Sequence, residues 1–115
     1  MYTEGEPESQ SILPQKFLAI VTREGRLILD RKPYFSFIHF IEYVGLNVVA
    51  SLDLKVGGGM PLVSKTRINL RDYNPAKDGW YVYTTMNLKE KIAIIHKIGT
   101  LIGCEFICLT KPEYY

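Results

Sequence analysis

Between Ser64 and Met86 the chain interleaves cations, amides and aromatic rings at a spacing of two. Lys65, Arg67, Asn69, Arg71 and Tyr73 alternate with Thr66, Ile68 and Leu70, and Tyr81 and Tyr83 alternate with Trp80, Val82 and Thr84. Successive side chains of a strand point to opposite faces, and Asn74-Pro75-Ala76-Lys77-Asp78-Gly79 between the two runs is a strong turn signal. The spacing therefore predicts a β-hairpin whose apolar set faces inward. Lys65, Arg67, Asn69, Arg71, Tyr73, Tyr81 and Tyr83 would then lie together outside, joined by Lys55 from the preceding run.

Such a surface suits single-stranded RNA or DNA. Cations at Arg67 and Arg71 would meet phosphates and release counterions, and rings at Tyr81 and Tyr83 would stack on unpaired bases for ~1–3 kcal/mol each. The same residue types dominate protein-interface hot spots, so the alternative is a protein-interaction module, a small inhibitor or an assembly subunit. A solvated antiparallel sheet face also alternates in this way for packing alone.

Other constellations carry less chemistry. Asp30 with Asp53-Leu54-Lys55 has the residue types of a Mg²⁺-dependent nuclease, but a helix is expected between the two acids and Asp-x-Lys is frequent on exposed strands. His39 and His96 have no nucleophile beside them in sequence and read as solvated or structurally bonded histidines. Cys104 and Cys108 on a strand would sit ~13 Å apart, too far for a disulfide. Without a second Cys or His pair they do not make a zinc site, so both read as buried core residues. Gly57-Gly58-Gly59 leads into Met60-Pro61 rather than into a helix, so it reads as a connection and not a phosphate cradle. Gly99 and Gly103 would let a helix approach the sheet or end early, with a homodimer contact as the alternative. The expectation is a non-enzymatic binder with no catalytic residues, no metal and no cofactor.

The elements that would position these residues follow from periodicity. Lys16–Thr22 and Arg26–Asp30 are apolar runs joined at Gly25, a hairpin. Ser36, His39 and Glu42 recur every three residues opposite Phe37, Ile38, Ile41 and Val44, a helix that starts near Asp30 or Ser36 and stops at Gly45. Leu46–Val56 alternates and reads as a half-buried strand. Asn87 with Glu90 makes a capping box for a helix that buries Leu88, Ile92, Ile95, Ile98 and Ile102 and ends at Gly103, and Cys104–Leu109 is a last strand. The fold class expected is two-layer α+β: a mostly antiparallel sheet of about six strands with two helices on one face, the faint echo between its halves reading either as a pseudo-duplicated β-β-α-β unit or as two amphipathic helices meeting the same demand.

Residues 15–115 are long enough for one such domain, and 47% hydrophobic composition supplies its core. Residues 1–14 read as a flexible acidic tail: Glu4, Glu6 and Glu8 stand there without a base, against 14 basic and 9 acidic residues in the remainder. No apolar run reaches the ~18 residues of a membrane span, and the acidic start is unlike a signal peptide, so a cytoplasmic location is expected.

Overall fold

The computed structural model describes residues 16–110, and the segment expected to be an acidic tail lies outside them. The N-terminal hairpin forms as its sequence suggests. Strand β1 (Leu18–Val21) pairs antiparallel with β2 (Leu27–Leu29). Thr22 closes the turn, its amide donating to the Arg26 carbonyl at 2.9 Å and its hydroxyl accepting from the Arg26 amide at 3.0 Å. Helix α1 (Pro33–Val44) follows, with proline in its first turn, where no amide proton is required. It buries Phe37, Ile38, Phe40 and Ile41 across β1 and β2. Ser36 is buried too, because its Oγ accepts the Asp30 amide at 2.8 Å.

The segment after Gly45 departs from expectation. Leu46–Val56 is not one strand: Leu46–Ser51 forms a short helix, α2, and only Lys55–Val56 is extended, as β3. Alternation and helical spacing coincide here, since Leu46 and Val49 lie three apart and are both buried. Gly45 decides the outcome. At φ 111° it ends α1 and redirects the chain, a backbone state that a residue with a Cβ rarely takes. Beyond β3, Gly57-Gly58-Gly59 turns the chain into β4 (Met60–Pro61), which pairs back on β3.

The following hairpin is shorter than its alternation implies. Val63–Ser64 (β5) and Tyr73–Pro75 (β6) both pair antiparallel with the central β7 (Tyr81–Tyr83), while residues 65–72 between them form a loop. A single turn at Lys77–Gly79 joins β6 to β7. Helix α3 (Leu88–Ile102) begins with the expected capping box: Asn87 Oδ1 accepts the Glu90 amide at 2.8 Å and Glu90 Oε1 accepts the Asn87 amide at 2.9 Å. Strand β8 (Ile107–Thr110) then pairs antiparallel with the free side of β1.

The fold is therefore α+β with antiparallel pairing throughout, as expected, but with three α-helices among the described residues. In place of a six-strand sheet there are three small ones, ordered β2-β1-β8, β3-β4 and β5-β7-β6. The element order does not repeat, because α2 and the β3–β4 hairpin have no counterpart beside α3. One core joins the sheets, with Leu18, Ile20, Phe37, Phe40, Tyr73, Val82, Ile95 and Ile98 within it. Phe40 meets Phe106 edge to face at 4.8 Å. No helix among the described residues is long and apolar enough to cross a membrane.

Gly99 shows why α3 carries glycines. It is buried, and a Cβ there would sit 2.6 Å from the Cys104 carbonyl oxygen and 3.2 Å from the Phe106 ring. The close approach lets the chain reverse after Gly103 and return as β8, so Gly99 packs inside its own chain and not against another copy. Gly99→Ala should cost ~1–3 kcal/mol, the usual range for overpacking, read as a lower urea midpoint at unchanged slope. An unchanged midpoint would contradict the packing.

Candidate functional site

The residues singled out in the sequence fall into three groups, with Lys55 apart from all of them. Lys65, Arg67 and Tyr81 come together, and Trp80 joins them. The Lys65 ammonium lies 4.9 Å from the centre of the Trp80 ring and the Arg67 guanidinium 5.8 Å from that of Tyr81. Both distances are within cation–π reach. Each cation is also tied to the backbone: Lys65 Nζ donates to the Asp78 carbonyl and Arg67 Nε to the Tyr73 carbonyl, both at 3.1 Å. Asn69 and Arg71 form a second group around Asp72. Lys55 stands apart on β3, ion-paired with Asp53 at 3.1 Å.

Tyr73 and Tyr83 are not on the surface at all, which corrects their expected place on an outer face. Their residues pair across β6 and β7, so both rings point the same way, into the core. Tyr73 is fully buried, meets Tyr83 edge to face at 5.4 Å, and donates its hydroxyl to the Pro61 carbonyl at 2.6 Å. Burial, and then the nearby Tyr83 and Asp72, pushes the Tyr73 phenol above its ordinary range. Tyr83 packs onto Gly57 and is also buried. The expected inward set is reversed as well, since Ile68 is 44% and Leu70 77% exposed. Without a strand opposite them, residues 65–72 have no sheet against which to turn an apolar face.

What replaces the strand is a loop built around Asp72, a residue the alternation gave no reason to select. Asp72 is buried, its amide donates to Asn69 Oδ1 at 2.7 Å, and its carboxylate accepts from Asn69 Nδ2 at 3.1 Å and Arg71 Nε at 3.2 Å. Its carbonyl accepts the Thr84 amide at 2.8 Å, fastening the loop to the end of β7. The spacing Asn69-x-x-Asp72 was a legible signal, because Asn and Asp close short loops by bonding nearby backbone. A loop held in this way keeps Ile68, Leu70 and Arg71 out in solvent.

A second polar constellation links distant elements. Asp30 Oδ2 lies 2.8 Å from His39 Nε2, and His39 Nδ1 lies 3.3 Å from Glu42 Oε1. Glu42 Oε2 accepts the Lys77 amide at 3.0 Å, tying α1 to the β6–β7 turn. The Arg31 amide, and after it His39, holds the Asp30 carboxyl below the usual range against the opposing effect of burial. With a carboxylate near each ring nitrogen, His39 links Asp30 to Glu42. His96 is exposed on α3. Cys104 is an exposed free thiol, a correction to its expected burial, because it follows the end of α3 before β8 begins. Cys108 is half-buried, and burial pushes its thiol up to about 11. Among the described residues no group of three His, Cys, Asp or Glu side chains could hold a metal ion.

Asp72 gives the loop a pH dependence of defined sign. Hydrogen bonding from Thr85, opposed by burial and followed by Arg71 and Asn69, holds its carboxyl below the ordinary carboxylate range. The folded chain then binds this proton less readily than the unfolded one. Its contribution is present above about pH 4 and is lost as the pH falls through the lowered native value. Asp72→Asn should lower the melting temperature at neutral pH, and the gap to the parent chain should narrow on acidification. A gap that stays constant from neutral pH to about pH 2 would contradict the assignment.

No protein-family model matches the chain, and no curated protein or solved structure shows significant similarity to it.

Proposed function

We propose that the chain is a non-enzymatic protein-interaction domain that engages a partner protein through the 65–72 loop and the Trp80 and Tyr81 rings beside it. One observation carries the reading: Leu70, 77% exposed, sits at the tip of a loop whose base is fixed by the buried Asp72. A restrained loop loses little entropy when it docks, and loops on a rigid scaffold are where binding residues concentrate. Arg67, Trp80 and Tyr81 are the residue types that dominate interface hot spots. Leu70 and Ile68 add apolar surface that folding leaves in water. A reducing, cytoplasmic setting fits the exposed free thiol of Cys104.

A second reading, single-stranded RNA or DNA binding, is favoured by three cations on one loop, Lys65, Arg67 and Arg71. Against it, a base stacking on Trp80 or Tyr81 would first have to displace the cation already lying over each ring. The two readings separate by salt, because phosphate contacts release counterions and weaken steeply as salt rises.

A photo-crosslinking residue at position 70 should capture a discrete protein, and Leu70→Asp and Trp80→Ala should each weaken that complex tenfold or more, ~1.4 kcal/mol or above. Leu70→Asp should leave the melting temperature unchanged, since the side chain is exposed. Salt-sensitive binding of labelled single-stranded oligonucleotides that is lost in Arg67→Ala, with no protein captured, would overturn the proposal in favour of the second reading.

A further inference from the structure

A cleft of about 430 Å³ opens where the start of α1, the β7–α3 connection and the first turn of α3 meet. Lys16, Arg71 and Lys91 bring three cations to its walls, and no carboxylate lines it. Lys91 is the unusual member. It is only 5% exposed, yet the one acceptor for its ammonium among the described residues is the Met86 carbonyl. No carboxylate among the described residues lies within ion-pair distance of it. A buried ammonium carries a large desolvation cost unless a counter-charge and further hydrogen bonds offset it. Two of its three donors remain to be used.

The surrounding groups leave room for an anion rather than supply one. Burial above all lowers the Lys91 pKa from the ordinary lysine range, Glu90 opposes that effect, and Lys16 adds to it. Lys16 and Lys91 therefore repel each other, and an anion between them would turn that repulsion into attraction. The Glu90 carboxylate is turned to the Asn87 amide in the capping box and does not line the cleft. Arg71 is fixed by its carbonyl, which accepts the Thr85 hydroxyl at 3.3 Å, and by its Nε, which donates to Asp72 at 3.2 Å. Its Nη groups have no partner among the described residues, a fork suited to two oxygens of one anion. Asn74 Nδ2 donates to Thr84 Oγ1 at 2.6 Å, which leaves the Thr84 hydroxyl proton to donate elsewhere.

The lining also selects the class of anion. Three cations on three separate segments match a dianion with oxygens in several directions. A flat carboxylate has two oxygens, which one arginine fork already satisfies. Pro33, Tyr34, Met86 and Leu88 form a half-buried, largely apolar wall beside the cations. The cleft falls within the roughly 300–1,000 Å³ of small-molecule sites, so it has room for an organic group attached to a phosphate.

We infer that this cleft binds a small phosphate monoester, its phosphate held by Lys91 from within and by Lys16 and Arg71 at the rim, its organic group against Tyr34. The inference does not depend on a protein partner at the 65–72 loop, since Leu70 is not among the lining residues.

The test is a titration of the ¹⁵N-labelled full chain, followed by amide chemical shifts at an ionic strength held constant with chloride. The probes are phenyl phosphate, inorganic phosphate, diethyl phosphate and benzoate, above about pH 7, where a phosphate monoester is a dianion. Phenyl phosphate should give saturable shifts at residues 84–91 and bind more tightly than the other three. Lys91→Met keeps the length of the side chain and should weaken that binding at least about tenfold. Lys16→Ala and Arg71→Ala, both at exposed positions, should each weaken it severalfold with the fold intact by circular dichroism. Leu70→Asp and Arg67→Ala should leave it unchanged. If Lys91→Met does not fold, the two exposed variants decide the matter. No saturable shift with either phosphate overturns the inference, and so does an affinity that survives both Lys16→Ala and Arg71→Ala. Tighter binding of diethyl phosphate or benzoate overturns the assignment to a monoester.

Discussion

A buried phenol keeps its place only if its hydroxyl finds a partner, and in this chain Tyr73 finds the carbonyl of Pro61. That contact brings β6 against the β3–β4 hairpin and places the Tyr73 ring edge-on to Tyr83. Residue 72 is thereby held at the start of a fixed strand, and the Asp72 carbonyl accepts from Thr84 next to β7. The whole 65–72 loop depends on this anchor. Removing Tyr73 would empty the largest fully buried side-chain position among the described residues and release the loop that presents Leu70.

Two kinds of surface result, and each has its own physics. The loop displays apolar and cationic side chains from a restrained backbone, with Lys65 and Arg67 lying over the rings of Trp80 and Tyr81. The outer face of β2-β1-β8 is apolar in both of its cross-strand rows. A loop of the first kind suits recognition of a different molecule, because its chemistry is mixed and its shape convex.

Where periodicity and local capping agreed, the elements were legible from the residues. Asn87 and Glu90 marked the start of α3, Gly25 marked the first hairpin, and Gly45 marked the end of α1. Where two periods fitted the same residues, the reading failed. Leu46–Val56 satisfies alternation and also helical spacing at its start, and only the turn imposed by Gly45 and the packing of Val49 select the helix. Lys65–Arg71 alternates and still forms no strand, because residues 65–72 pair with no neighbouring strand. Alternation describes what a segment could do in a sheet, while pairing depends on the rest of the chain.

The candidate site divided along the same line. Lys65, Arg67 and Tyr81 were legible and do cluster, whereas Tyr73 and Tyr83 lie inside because the face they share across β6 and β7 is turned into the core. The uncovered apolar face had a signal that went unread. Leu18–Val21, Leu27–Leu29 and Ile107–Leu109 are apolar at every position, the pattern of strands covered on both faces. The helices among the described residues cover one face only.

The restraint of the 65–72 loop is the claim on which the functional account turns, and backbone ¹⁵N relaxation measures it directly. The account predicts order parameters near the ~0.85 of rigid backbone through Asn69–Asp72 in the free protein, comparable to β7. Values below ~0.6 across the loop would mean that Asp72 does not hold it, and would contradict a preformed binding surface.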